Sequence, residues 1–139
     1  MTDPQRIAEL SARVMWDDDP ASQSLGMRLV EIGPGRAVIT MTVRNDMVNG
    51  HAMGHGGFTF SLADSAFAFA CNSYNRRTVA QSCSISYLAA TRLGDELVAE
   101  AVERYRAGRT GIYDIAVRRD DEVVAEFRGH SREIGGTFF

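Results

Sequence analysis

The sequence predicts an α+β fold, with one long central helix wrapped by a curved antiparallel sheet of about five or six strands and a short helix at the N-terminus. Three observations lead there. The segment GFTFSLADSAFAFAC (57–71) carries a single charge, Asp64, and Leu62, Ala63, Ala66, Phe67, Ala68, Phe69 and Ala70 cover every angular position at a helical pitch. A helix that is apolar all round is a buried one. Two segments of strand character precede it and four follow it, joined by short turns, a grouping that argues for α+β and a mostly antiparallel sheet. Only a sheet that curves around the helix covers so apolar a cylinder.

Each element has its own signal. Ile7, Leu10, Val14 and Met15 fit a short amphipathic helix over about 4–16. Asp17-Asp18-Asp19-Pro20 ends it, because like charges repel and proline does not extend a helix. Leu25 to Ile32 and Arg36 to Val43 read as strands joined by the turn Gly33-Pro34-Gly35. In the second, Ala37, Ile39, Met41 and Val43 share one face. A loop rich in glycine and histidine follows, and then the central helix, expected from about His55 to Tyr74. Beyond it, Val79, Gln81, Cys83, Ile85 and Tyr87 alternate with small polar residues, and Leu97, Ala99, Ala101 and Val102 mark a strand before Ala107-Gly108. Ile112–Val117 and Val123–Phe127 form a last pair, with Arg118-Arg119-Asp120-Asp121 as the hairpin tip.

The totals set the class. A chain of 139 residues suits one domain with a real hydrophobic core. We expect a single domain over 1–139, with 1–20 as its N-terminal helical segment. Hydrophobic residues at 45% and charged residues at 24% are ordinary for a soluble globular protein. Fifteen basic residues against 18 acidic give a formal charge of −3, which implies no broad basic surface and argues against a nucleic-acid partner. The start of the chain has no signal-peptide pattern and the longest uncharged run is too short to span a bilayer, so no membrane association is expected. Cys71 and Cys83 lie in apolar contexts without metal-type spacing. They are expected as reduced thiols, which makes the cytoplasm the default compartment.

Chemistry concentrates where the loop meets the helix. Asn49-Gly50-His51-Ala52-Met53-Gly54-His55-Gly56-Gly57 brings polar groups and flexible backbone to the helix start. The first turn of a helix leaves backbone N–H groups unpaired and carries partial positive charge. Glycine lets a ligand approach that backbone closely. A carbonyl docked at Gly56 would be polarised, and an oxyanion there stabilised. The plainer alternative is that Gly56 and Gly57 only permit a tight turn into the helix.

Asp64 is the natural base or nucleophile, since a buried carboxylate without a partner is costly and such groups gather at functional sites. Its alternative roles are to cap a loop or to meet a buried arginine. Eight residues separate it from Gly56, about 12 Å along a helix axis. A carbonyl held at Gly56 is beyond its reach. Two such helices, antiparallel about a two-fold axis, would bring Gly56 of one chain beside Asp64 of the other. We therefore expect a homodimer with two composite sites.

The supporting residues are less determined. His51 and His55 are spaced as in His-x-x-x-His, but Gly54 interrupts a helical register and no acidic third ligand stands at motif spacing, so no metal is expected. One histidine orients the loop or contacts substrate, while Asn49 holds a water or the loop backbone. Gly57, Phe58 and His51 are the candidate substrate-binding residues. Phe58 and Phe60 either shape a substrate pocket or pack in the core. The serines lack a Gly-x-Ser-x-Gly elbow, and the apolar surroundings of Cys71 and Cys83 disfavour a thiolate. No Walker or dinucleotide fingerprint occurs. Arg104, Arg106, Arg109, Arg128 and Arg132 are either phosphate contacts or a solvated face.

At these residues the chain resembles a known family. Asn49-Gly50-His51-x-x-x-His55-Gly56-Gly57, followed by Ser61-Leu62-Ala63-Asp64, is similar to the signature of hotdog-fold acyl-CoA thioesterases, and within them to the enzymes of phenylacetic acid degradation. The resemblance runs from about Leu25 to Gly136 and includes Cys71-Asn72-Ser73, Thr110-Gly111-Ile112-Tyr113-Asp114-Ile115 and Phe127-Arg128-Gly129. It implies a helix wrapped by a curved sheet, paired into dimers and usually homotetramers, and hydrolysis of a CoA thioester without metal or bound cofactor. It further implies that the Gly56 N–H polarises the thioester carbonyl, that Asp64 of a partner subunit activates water or attacks directly, and that Asn49 and His55 support the site. The implied substrates are phenylacetyl-CoA and its ring-hydroxylated relatives. The alternatives are an acyl-thioester hydratase or dehydratase, which releases no thiol, and a non-catalytic acyl-CoA-binding protein, which turns nothing over.

Overall fold

The structure, a computed structural model, describes residues 3–139. It opens with helix α1 (Pro4–Asp17), capped by the Asp3 side chain, which accepts from the Gln5 N–H at 3.0 Å. Ala8, Ser11 and Ala12 form its buried stripe. The expected stop at the acidic run is there, but Pro20 also starts something. It is the first residue of a short helix α2 (Pro20–Ser24), capped by Asp19 through the Ser22 N–H. Proline suits a first helical position, because its missing N–H would be unpaired there anyway. The first strand therefore begins later than the sequence suggests: Leu25 caps α2, Gly26 turns with φ +73°, and β1 covers Arg28–Gly33.

The turn at Gly33-Pro34-Gly35 leads into β2 (Arg36–Thr42), paired antiparallel to β1. After the loop comes α3 (Gly56–Cys71), flanked by His55 as N-cap and Asn72 as C-cap. It is shorter than expected at its C-terminal end, and Asn72 shows why. Its side-chain amide donates to the carbonyls of Ala68 at 2.8 Å and Thr78 at 3.0 Å, and its Oδ1 accepts from the Thr78 N–H at 2.8 Å. That clamp closes α3 and fixes the start of β3 (Thr78–Tyr87). The remaining strands are β4 (Glu96–Ala107), β5 (Thr110–Arg119) and β6 (Glu122–Glu133), longer than their apolar cores indicate. The predicted hairpin tip is present, with Asp120 at φ 52°.

The six strands make one antiparallel sheet in the order β1-β2-β4-β5-β6-β3. The strand that follows α3 thus lies at the far edge, not beside β2. Leu62, Ala63, Ala66, Phe67, Phe69 and Ala70 of α3 are buried against Ile39, Met41, Leu97, Ala99, Ile115, Val117 and Phe127. The helix approaches β6 so closely that a Cβ on Gly129 would stand 2.7 Å from the Phe67 ring.

The wrapping is incomplete. Along β3 only Thr78, Cys83 and Ile85 are half-buried, and the rest of the strand is exposed. On α3, Phe60, Ser61, Asp64, Ser65 and Ala68 keep partial access to solvent. One chain thus leaves a partly bare helix face and an unpaired sheet edge.

Candidate active site

The loop before α3 is organised by its own side chains. Asn49 Oδ1 accepts from the His51 N–H at 2.9 Å and from the Met53 N–H at 3.3 Å, while the Asn49 N–H donates to the Met53 carbonyl at 2.8 Å. This is the behaviour that makes asparagine a turn former. Of the two roles foreseen for Asn49, it performs the holding of loop backbone. Ala52 takes the left-handed conformation at φ 59° inside this turn. Gly54 then runs against Thr91: its N–H donates to the Thr91 carbonyl at 2.8 Å, and a Cβ there would fall 1.9 Å from Thr91 Oγ1. Only glycine fits that crossing.

His55 places the helix start. Its Nδ1 accepts from the Gly57 N–H at 3.0 Å, and its carbonyl accepts from the Phe58 N–H at 3.1 Å. An accepting Nδ1 on a neutral ring puts the proton on Nε2. Among the described residues the Gly56 N–H has no hydrogen-bond partner. The first turn therefore offers an unspent donor at the position the sequence singles out. Beside it lies a cavity of about 410 Å³ lined by Asn49, Met53, Gly54, Gly56 and Thr59, and by Tyr87–Thr91 with Val124.

Asp64 sits two turns further along α3, half-buried, and makes no side-chain hydrogen bond or ion pair among the described residues. It meets no arginine and caps no loop. Burial raises its carboxyl above the ordinary aspartate range. Its charge adds to the upward shift that burial gives the thiols of Cys71 on α3 and Cys83 on β3. Cys71, pushed to about 12, and Cys83 are free thiols; neither is poised as a nucleophile.

The structure thus brings Asn49, His55 and Gly56 together at one end of α3 and leaves Asp64 away from them, on the same rod. Gly57 is held by His55, and His51 is exposed with no side-chain hydrogen bond among the described residues. Phe58 packs edge-on to His55 at 6.0 Å, and Phe60 edge-on to Phe127 at 5.2 Å. Gly57, Phe58 and His51 do not line the cavity of the single chain, and neither does Phe60. The cavity wall that sequence reasoning misses is the Tyr87–Thr91 segment. Its signal is faint: Tyr87 closes an alternating strand, and nothing local marks it as facing a helix 31 residues away.

The arginines divide by role. Arg104 and Arg128 both bind Asp114, and Arg106 lies over the Tyr74 ring at 3.6 Å. Arg109 and Arg132 make no side-chain ion pair among the described residues. Among those residues no three His, Cys, Asp or Glu side chains gather as a metal site, and no helix is long and apolar enough to cross a membrane.

Known proteins resemble this chain in sequence and in fold. Residues 51–126 match the Thioesterase superfamily. The chain is 45% identical over 128 residues to the acyl-coenzyme A thioesterase PaaI of Escherichia coli K12, a match spanning 91% of each protein. It superposes on the structure of the E. coli PaaI protein from the phenylacetic acid degradation operon with a TM-score of 0.95 at 43% identity, covering 97% of this chain and 99% of that one. A mutant of the phenylacetic acid degradation protein PaaI from Thermus thermophilus superposes with a TM-score of 0.81 at 37% identity, over 84% of this chain and 100% of that one. With a partly bare apolar helix held in a six-stranded sheet, and a free amide at its start, the chain belongs to the thioesterase superfamily and has the hotdog fold.

Proposed function

We propose that this protein hydrolyses acyl-CoA thioesters, with phenylacetyl-CoA and ring-hydroxylated phenylacetyl-CoA as its substrates, in a homodimer whose sites are each built from two chains. The observation that carries the reading is the separation of two unspent groups on one helix. Among the described residues the Gly56 N–H has no partner at the start of α3, and Asp64, also without a partner among them, lies eight residues on, about 12 Å away along the axis. Neither completes a site within its own chain. A second copy, with α3 antiparallel, joins them. The bare face of α3 and the open β3 edge support such a pairing, since exposed edges and apolar helix faces are normally covered. Pairing of dimers into a homotetramer is the extension that the resemblance adds.

The chemistry follows from the parts. The thioester carbonyl accepts from the Gly56 N–H, where the helix dipole adds to its polarisation. Asp64 of the partner subunit removes a proton from water as the water oxygen attacks the carbonyl carbon. The resulting oxyanion stays on the Gly56 amide. The C–S bond then breaks, the CoA sulfur leaves with the proton Asp64 had taken, and the free acid is released. A carboxyl raised by burial is a stronger base than an ordinary aspartate, which suits it to this step. Asn49 and His55 hold the loop and the helix start in place. The scheme calls on water and the chain's own groups, with no metal or bound cofactor. The names of the PaaI relatives support the aryl substrate class.

The test is release of free thiol from a panel of acyl-CoA esters that includes phenylacetyl-CoA and hydroxyphenylacetyl-CoA. Turnover with the aryl esters preferred is the expected result. Absence of thiol release across the panel, with water added to or lost from an unsaturated acyl chain, would overturn hydrolysis in favour of a hydratase. Single turnover in oxygen-18 water separates the base route from direct attack: the base route never places label in Asp64.

A further inference from the structure

Among the described residues, Tyr87 is the one aromatic side chain that lines the cavity beside Gly56. It is the last residue of β3, and its ring is spent on no core contact: the residue is 53% exposed. Its hydroxyl nevertheless donates to the Gly56 carbonyl at 2.9 Å. Its ring covers the face of Gly56 where a side chain would stand, with Cζ, Cε1 and the hydroxyl oxygen 3.0, 3.1 and 3.2 Å from the position of a Cβ. The first turn of α3 is therefore gripped twice, by His55 on the Gly57 N–H and by Tyr87 on the Gly56 carbonyl. The Gly56 N–H between them has no partner among the described residues. Next to Tyr87 the cavity wall is apolar, with Leu88, Ala89 and Val124. Leu88 and Ala89 are pinned there by donating to the Val124 carbonyl at 2.8 and 3.2 Å.

We propose that Tyr87 is a specificity-determining residue, whose ring forms the wall of the acyl pocket and selects aromatic over short aliphatic acyl groups. The proposal rests on the thioesterase reading above. A carbonyl docked on the Gly56 amide has one arm directed into this cavity. The apolar wall suits the acyl arm, whereas the long, polar CoA arm needs an open path to solvent. An aryl acyl group meets the exposed ring of Tyr87 edge-on or offset-stacked, a contact an acetyl group does not make. Such a pair changes the balance between substrates by about 3- to 10-fold. The hydroxyl plays a separate part, holding the ring over Gly56.

The experiment uses the full chain with Tyr87→Leu and Tyr87→Phe. The readouts are kcat and KM for phenylacetyl-CoA and acetyl-CoA, and equilibrium binding of both esters in an Asp64→Asn background. Tyr87→Leu is expected to lower the aryl-to-acetyl ratio of kcat/KM by about 3- to 10-fold, mainly through KM for phenylacetyl-CoA, with a matching loss in binding preference. Tyr87→Phe, which keeps the ring, is expected to retain the preference. An unchanged ratio in Tyr87→Leu, or equal loss in both variants, overturns the proposal. If wild-type protein releases no thiol, the hydrolytic reading fails, and the binding preference still decides whether Tyr87 selects the acyl group.

Discussion

Replacing Asp64 with Asn separates catalysis from folding more cleanly than any other change in this protein. The side chain forms no hydrogen bond or ion pair among the described residues, so the substitution removes no such contact from the fold. What it removes is the proton acceptor. Losing a positioned general base lowers kcat by about 10²- to 10⁴-fold, or about 3 to 5 kcal/mol in the barrier at 1.36 kcal/mol per decade. KM is expected to change little, because the carboxylate acts only as the water attacks. Stability is expected to move the other way. Burial raises the folded carboxyl above its unfolded value, so the folded state binds a proton where the unfolded state does not. Stability therefore falls as pH climbs from the unfolded value toward the raised one, and the penalty persists above it. The Asn variant lacks that penalty: it should be more stable than wild type at neutral pH and lose its advantage in acid. The same shift places the acid limb of kcat/KM above the ordinary aspartate range, a limb the variant lacks. The assay is thiol release across pH together with chemical denaturation at pH 4 and pH 7. A well-folded Asp64→Asn protein with wild-type turnover would refute the role of the carboxylate.

Three other perturbations follow from the geometry. His55→Ala removes the cap on the Gly57 N–H and should cost about 1 kcal/mol in stability by denaturant titration, with a larger fall in turnover than in KM; His55→Asn should recover most of the stability. Gly129→Ala drives a Cβ to 2.7 Å from the buried Phe67 ring, and should lower stability by about 1 to 3 kcal/mol, seen as a fall in Tm. Asp114 is held below the usual carboxylate range by its hydrogen bond with Arg128 and by Arg104. Its stabilisation is present above the unfolded carboxyl value and lost as pH falls toward the lower folded one. Asp114→Asn should therefore be less stable at pH 7 but flatter than wild type in an acid denaturation series.

The fold is legible because its strongest signal is local. An apolar helix with one charge cannot lie on a surface, and strands with buried alternation, such as Ala37, Ile39 and Met41, announce their inner face. What the sequence hides are features that depend on capping and on distant partners. Pro20 reads as a stop, although Asp19 beside it makes it a start. The end of α3 is set by Asn72 bonding to Thr78, a contact formed only in the folded chain. At the site, Gly56 and Asp64 are visible as a free amide and a lone carboxylate because helix geometry fixes both from sequence. Tyr87 is not, since its meaning comes from the Gly56 carbonyl that it reaches across the fold. Phe58 and Phe60 fit a pocket or the core equally by type and position, and only the folded chain shows their rings packed on His55 and Phe127.

The central claim is that a working site takes its amide from one chain and its carboxylate from another. Mixing inactive Asp64→Ala and Gly56→Val chains under conditions where subunits exchange tests it directly. In random reassortment about half the dimers are mixed, and each mixed dimer holds one intact site of two, so thiol release should recover to about a quarter of the wild-type rate. Proven heterodimers with no more activity than their two parents would contradict it.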